Sequence, residues 1–497
     1  MIKTIFFKLH LRSVRLASPV RYLAFFAIIV FAFTFCACDK TLPPEPFGAI
    51  PSQELVDWHK MEYYMFVHFG PNTFTNVEWG DGKEDPNVFN PTDLDCRQWA
   101  ETAKNAGMRG IILTAKHHDG FCLWPSNYST HTVRESLWKN GEGDVLKELS
   151  EACKEYGLQF GLYVSPWDRN HPTYGTEEYN EIFVKTLEEV LANYGDQFEI
   201  WFDGANGEGK NGKKQVYDWN TFHTTVCKYQ PKAIHAIEVN GIGSSCRWVG
   251  NEQGVAGKTN WCTLNNPSER TMEILGVGEQ GGGFWIPAET DVSIRPGWFY
   301  SPETNDKVKS VEKLMDIYYT SVGRNSNLLL NVPPDTRGRI HPADSIRLME
   351  FYHARNELFA ENIAEKAIIT ASNVRGKSPE YSAMNLLDDD YDRYWAADDD
   401  ILTASLEIDL SQEKEINHIL LQEYIPLGQR IVKFSIAYWD NGWHNIVNET
   451  TIGYKRIVRF PTIKTSKIKI NIEESLACPV LNRVEIYYSN VYTNETN

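Results

Sequence analysis

Between residues 63 and 202, short runs of β-branched and aromatic residues take turns with longer stretches whose apolar positions recur every three or four residues. The runs predict strands at Tyr63–Gly70, Arg109–Lys116, Phe160–Ser165 and Phe198–Phe202. The periodic stretches predict helices at Cys96–Gly107, Asp144–Gly157 and Thr176–Gly195. The helix over 144–157 is the best marked. Asp144 can cap its first turn, Val145, Leu146, Leu149, Ala152, Cys153 and Tyr156 fall on one face, and Gly157 can end it. Beyond residue 205 the periodicity weakens, leaving strand candidates at Ala233–Val239 and Asn327–Val332 and a helical segment at Val311–Val322.

Repeated strand-then-helix units call for a parallel sheet with helices outside it. His68, Lys116-His117-His118-Asp119, Tyr163 and Asp203 fall at the carboxyl ends of four successive strands. A ring of polar residues there is what the active face of a (β/α)8 barrel presents, whereas an open sheet gathers them at one switch point. The expected fold class is therefore α/β, a (β/α)8-like barrel over residues 49–358 followed by an all-β sandwich domain over 363–489 and a polar tail at 490–497. The sandwich is read from short alternating runs at Ser405–Leu410, Ile416–Leu421, Ile431–Tyr438, Lys467–Ile472 and Arg483–Tyr488, separated by polar turns.

The amino-terminal segment has a different texture. Five basic residues and no acid precede an uncharged, mostly apolar run from Tyr22 that ends Phe35-Cys36-Ala37-Cys38. This predicts a lipoprotein signal over residues 1–37, with a lipid on the Cys38 thiol, and a Pro-rich spacer over 38–48. A single transmembrane anchor is the competing reading. The expected location is the periplasm or outer membrane of a Gram-negative bacterium, with membrane contact only through that lipid. Losing five positive charges moves the formal net charge from −17 to −22. So acidic a chain does not suit nucleic acid, which needs clustered Lys and Arg. Seven cysteines lie beyond Cys38, with no C-x-x-C pair, so buried free thiols are expected. Nothing in the sequence speaks to oligomeric state.

Aromatic residues make up 13% of the chain, which suits a ligand with part-apolar faces such as a sugar ring. In Glu199-Ile200-Trp201-Phe202-Asp203-Gly204, an acid follows a bulky strand and precedes a turn glycine. A nucleophile or general base can be held there on a rigid support, although a turn Asp before Gly has the same appearance. The adjacent His117 and His118 fit hydroxyl recognition better than metal binding, because neighbours on a strand point to opposite faces. No metal and no cofactor is expected. Glu78-Trp79 and Arg247-Trp248-Val249-Gly250-Asn251-Glu252 place acids beside indoles, the combination sugars need. Gly276-Val277-Gly278-Glu279-Gln280-Gly281 fits G-x-G-x-x-G, but no helix follows, so it reads as a loop.

The ordered set His68-Phe69-Gly70, Glu78-Trp79, Lys116 to Phe121, Gly161-Leu162-Tyr163, Trp201 to Gly204 and Trp248 to Glu252 resembles family 29 glycoside hydrolases, the α-L-fucosidases, over residues 50–355. Val249–Glu252 and the stretch from Glu289 to Tyr300 are similar to the family's α-1,3/1,4-selective branch. The resemblance implies a retaining exo-α-L-fucosidase acting on terminal fucose of a fucosylated glycan, with Asp203 as nucleophile and Glu252, 49 residues on, as acid/base. It also implies a fucose pocket lined by His68, Glu78, Trp79, His117, His118, Tyr163 and Trp201, with Trp298 near the sugar methyl or the neighbouring unit. Glu238 and Glu289 are competing acids. Glu252 beside Trp248 and Val249 is expected to be desolvated, which would favour its protonated form. Ala371-Ser372-Asn373, Asn385 to Asp389 and Tyr394-Trp395 resemble an F5/8 type C module. The alternatives are a non-catalytic glycan-binding lipoprotein with a degenerate barrel, and a metal-dependent hydrolase using His117, His118 and Asp203.

Overall fold

The computed structural model describes residues 41–236, 240–268 and 271–490. The signal segment, Cys38, Glu238 and most of the tail lie outside the described residues. Eight parallel strands form the first sheet: β1 Tyr63–Val67, β2 Gly110–Lys116, β3 Gln159–Val164, β4 Glu199–Trp201, β5 Ile234–Ala236, β6 Arg247–Trp248 and, after a small hairpin of β7 Thr263–Leu264 and β8 Phe284–Trp285, β9 Ala288–Ser293 and β10 Ser326–Asn331. Their order is β5-β4-β3-β2-β1-β10-β9-β6, and a parallel bridge between His235 and Ser245 brings the two edges together. The result is the nearly closed barrel that the strand–helix alternation predicts.

The helix Val145–Tyr156 forms as its sequence requires. The Asp144 carboxylate accepts the Lys147 N–H at 2.9 Å, a cap worth about 1 kcal/mol. The predicted apolar face is buried except for Tyr156, which is partly covered, and Gly157 at φ 67° turns the chain out. Helices Cys96–Asn105 and Glu177–Asn193 complete the regular half. The second half is irregular: β5 passes to β6 within a segment too short for a crossover helix, and among the described residues the helix between β6 and β9 is the short Met272–Val277, set between the strands of the hairpin. Helix Gln53–His59 precedes β1, and its Trp58 is buried against residues of the barrel interior.

The carboxyl-terminal domain is antiparallel, with β11 Ile368–Ala371, β12 Trp395–Ala396, β13 Ala404–Glu423, β14 Ile431–Trp439, β15 Trp443–Glu449, β16 Arg456–Ser475 and β17 Val480–Tyr487. The sequence reads Ser405–Leu410 and Ile416–Leu421 as two strands. They are two halves of β13, interrupted by a register break between Asp409 and Lys414 that re-aims the strand. The domain has its own core, including Leu406, Ile408, Ile419, Leu421, Phe434 and Ile470. It docks on the barrel through Leu420, Ile457 and Tyr487, which join the barrel's core, and through polar groups buried in pairs. The Gln429 amide donates to the Asn260 carbonyl and accepts from Cys262 N–H, and Tyr454 N–H donates to the Asn325 side chain. All seven described cysteines are free thiols, and Cys227 alone among them is not fully buried.

Candidate active site

The carboxyl ends of β1 to β4 converge on one depression. Asp203 stands two residues beyond β4, with 26% of its side chain exposed. Its Oδ2 accepts the Tyr163 hydroxyl at 2.9 Å and its Oδ1 accepts the Ala205 N–H at 2.8 Å. Tyr163 on β3 is buried. Desolvation first, and the adjacent Asp203 charge second, push its phenol well above the ordinary range, so it stays a neutral donor. Replacing Tyr163 with Phe removes one charge-assisted bond of about 1.5–3 kcal/mol and is expected to cut kcat/KM by about 10- to 100-fold if Asp203 is the reacting carboxylate. A loss below threefold, with the melting temperature unchanged, would show that the hydroxyl does not orient Asp203.

Three histidines wall the depression. His68 follows β1, and its Nδ1 lies 2.9 Å from the Asn331 side-chain oxygen. An amide oxygen only accepts, so Nδ1 carries the proton and Nε2 is left as an acceptor. Burial lowers the His68 pKa to about 3. His118 Nδ1 sits 2.8 Å from Ser165 Oγ, whose own hydroxyl donates to the Trp167 carbonyl. His118 must therefore donate from Nδ1 and present an acceptor Nε2, which lies 3.5 Å from Asp203 Oδ2. Burial takes His118 to about 4 despite that carboxylate. Two acceptors so close together are suited to a ligand hydroxyl that donates to one of them. His117 packs between His68, His118, Tyr163 and Phe299. Its Nδ1 is buried without a hydrogen-bond partner, the kind of atom a bound hydroxyl would satisfy. Burial keeps all three imidazoles below the ordinary histidine range, so what they can offer a ligand is hydrogen bonding rather than charge.

Beneath them a buried ion pair fixes the loop after β3. Lys116 Nζ is 3.3 Å from Asp168 Oδ2 and also donates to the Ser165 carbonyl at 2.6 Å. That loop carries Trp167, which packs on His118 and on Trp79. Trp79 is 58% exposed, an apolar face at the rim.

Glu78, Glu252 and Trp298 meet on the opposite side. The Trp298 backbone N–H donates to Glu78 Oε2 at 2.9 Å, and its indole N–H donates to Glu252 Oε2 at 3.2 Å. A Cβ on Gly297 would fall 2.1 Å from Glu78 Oε1, so only glycine admits this approach. The Trp298 ring lies 5.0 Å from the His68 ring, so Trp298 links Glu252 to the histidine wall.

Several expectations need correction. Glu252 is exposed at the rim rather than desolvated beside Trp248, because the Trp248 indole turns to Asp291 instead, at 2.8 Å. Trp201 is not among them: at 5% exposure it is as buried as His68, stacks on Tyr163 and donates its indole N–H to Glu289 at 2.8 Å. Glu289, read as a competing acid, points into the barrel interior and is 1% exposed. The donor atoms of His117, His118 and Asp203 do not converge as metal ligands would. The convergent set among the described residues is Glu199, Cys246 and Glu289. Asn331, Ser165 and Trp167 belong to the site and carry no sequence motif, and Phe299, within the Glu289–Tyr300 stretch, was not singled out. The nearest signal is Asn331, a polar residue at the carboxyl end of the apolar run Leu328–Leu330.

This geometry has known relatives. Residues 48–352 match the alpha-L-fucosidase family and residues 368–486 match the F5/8 type C domain. The chain is 40% identical to Alpha-L-fucosidase 1 of Arabidopsis thaliana over 454 residues, covering 89% of this chain and 88% of the relative. A crystal structure of a putative alpha-L-fucosidase from Bacteroides thetaiotaomicron superposes with a TM-score of 0.86 at 39% identity, over 90% of this chain and 100% of that one. A Ruminococcus gnavus family 29 fucosidase in complex with fucose superposes with a TM-score of 0.84 at 33% identity, over 92% of this chain and 98% of that one. With a nearly closed barrel, a histidine-lined depression and a carboxylate at the end of its fourth strand, the chain belongs to glycoside hydrolase family 29, the α-L-fucosidases, and carries an F5/8 type C domain at its carboxyl end.

Proposed function

We propose that the protein is a retaining exo-α-L-fucosidase that removes terminal α-1,3/1,4-linked fucose from oligosaccharides or glycoconjugates by double displacement. The observation that carries the reading is the Asp203 carboxylate at the end of the fourth strand, oriented by Tyr163 and Ala205 beside His118. In the first step an Asp203 oxygen bonds to the anomeric carbon as the C–O bond to the leaving sugar breaks. The departing oxygen takes a proton from Glu252. In the second step a water gives its proton to the Glu252 carboxylate and attacks the anomeric carbon, releasing Asp203. This sequence needs the two carboxyls about 5–5.5 Å apart around the bound sugar. The exposed position of Glu252 suits both halves, since it receives a leaving sugar and then a water.

Linkage preference rests on the stretches Val249–Glu252 and Glu289–Tyr300. Hydrolysis of a panel of fucosylated oligosaccharides differing only in linkage and branching tests it. Faster release from α-1,3/1,4 branches is expected, and a preference for α-1,2 would overturn the assignment. The amino-terminal basic, apolar and Cys38 pattern supports export and a lipid anchor. Cys38→Ser is then expected to move the enzyme from the membrane fraction into the soluble fraction, and an unchanged distribution would argue against lipidation.

A further inference from the structure

Below the pocket floor, inside the barrel, two carboxyls face each other. Glu199 opens β4 and Glu289 lies on β9; they are 0% and 1% exposed, and the Tyr64 hydroxyl lies within reach of both carboxyls. Their oxygens and the Cys246 sulfur fall within 4.8 Å. Three of the four carboxyl oxygens face donors. Glu199 Oε2 accepts Trp58 N–H at 2.8 Å and lies 3.2 Å from the Tyr64 hydroxyl, Glu289 Oε2 is also within reach of that hydroxyl, and Glu289 Oε1 accepts Trp201 N–H at 2.8 Å. Glu199 Oε1 faces no donor. An ionised oxygen there would be an unmet buried charge, whereas a protonated one needs only an acceptor, which Glu289 supplies. Like charges this close in a dry interior cannot both persist, and burial raises the pKa of each.

We infer that Glu199 and Glu289 form a singly protonated acid pair that positions the nucleophile through Trp201 and Tyr163. Glu199 carries the proton and donates it to Glu289, which holds the Trp201 indole by its N–H. That indole stacks on Tyr163, ring centroids 5.4 Å apart at 26°, and Tyr163 donates to Asp203. Neither acid touches substrate; both are positioning residues. The part concerning Asp203 rests on its reading as the nucleophile, whereas the shared proton stands without it.

Two measurements separate these parts. A difference infrared spectrum, wild type minus Glu199→Gln, reads the proton without turnover. A protonated-carboxyl C=O band is expected to persist from about pH 5 to 8, where unperturbed carboxyls are ionised, and to be missing from the variant. Absence of that band from the wild type, or a stoichiometric metal ion in the purified protein, would overturn the pair. For positioning, Glu289→Leu and Trp201→Phe are each expected to lower kcat by about 10- to 100-fold with KM changing less than about threefold, and the double variant to be no worse than either. Glu289→Gln keeps an oxygen for the indole and is expected to restore kcat to within about fivefold, which serves equally if the Leu variant does not fold. Additive losses in the double variant, or a Gln variant as slow as Trp201→Phe, would overturn the positioning role.

Discussion

Replacing Asp203 with Asn is expected to lower kcat on an aryl fucoside by about 10³- to 10⁵-fold while leaving the melting temperature nearly unchanged. Asn preserves the shape of the side chain: its oxygen can still accept the Ala205 N–H, and its NH2 then faces the Tyr163 hydroxyl, which can turn to accept from it. It lacks the negative charge that attacks the anomeric carbon. Because Asp203 is a quarter exposed and contributes little to the core, the loss is chemical rather than structural. Calorimetry alongside the assay separates the two. A loss under about tenfold in a folded variant would move the nucleophile elsewhere.

Glu252→Gln is expected to show its effect through the leaving group. With a sugar as leaving group the departing oxygen needs a proton, and turnover is expected to fall by about 10²- to 10⁴-fold. With a nitrophenyl leaving group the first step needs no proton, so fucosylation stays fast and the second step becomes limiting. Azide, which attacks without general-base help, is expected to restore turnover. Full activity of Glu252→Gln on oligosaccharides would assign the acid elsewhere. Glu289 is not a strong candidate for that role, since its carboxyl is engaged by Trp201 and Tyr64 inside the barrel. Glu238 falls outside the described residues and is tested by the same substitution.

The regular half of the barrel was legible because each element solves one local problem. Apolar residues on one face of 145–156 must be buried, and Asp144 and Gly157 satisfy the two ends. The strands up to Trp201 are apolar runs, and the acids and histidines at their ends stand out against that background. β9 was not legible. Its sequence Ala-Glu-Thr-Asp-Val-Ser has no apolar run and was not among the predicted strands, yet all six residues are buried. Glu289, Thr290 and Asp291 are satisfied there by Trp201, the Asn327 carbonyl and Trp248, partners that only the closed barrel brings within reach. Glu252 failed as a burial expectation for a related reason: the neighbouring Trp248 and Val249 were read as its cover, but Trp248 spends its indole on Asp291. Asn331 escaped because a single amide at a strand end has no pattern, although it sets the tautomer of His68. Long-range polar pairing is what one sequence hides; apolar periodicity is what it displays.

The most direct measurement is covalent trapping with a 2-deoxy-2-fluoro-fucosyl donor, in which the fluorine slows release of the glycosyl-enzyme, followed by mass spectrometry of proteolytic peptides. The expected result is one added fluorofucosyl group on Asp203, in the peptide containing Trp201-Phe202-Asp203-Gly204. Label on another carboxylate would contradict the assignment of Asp203, and inhibition with no covalent adduct would contradict double displacement itself.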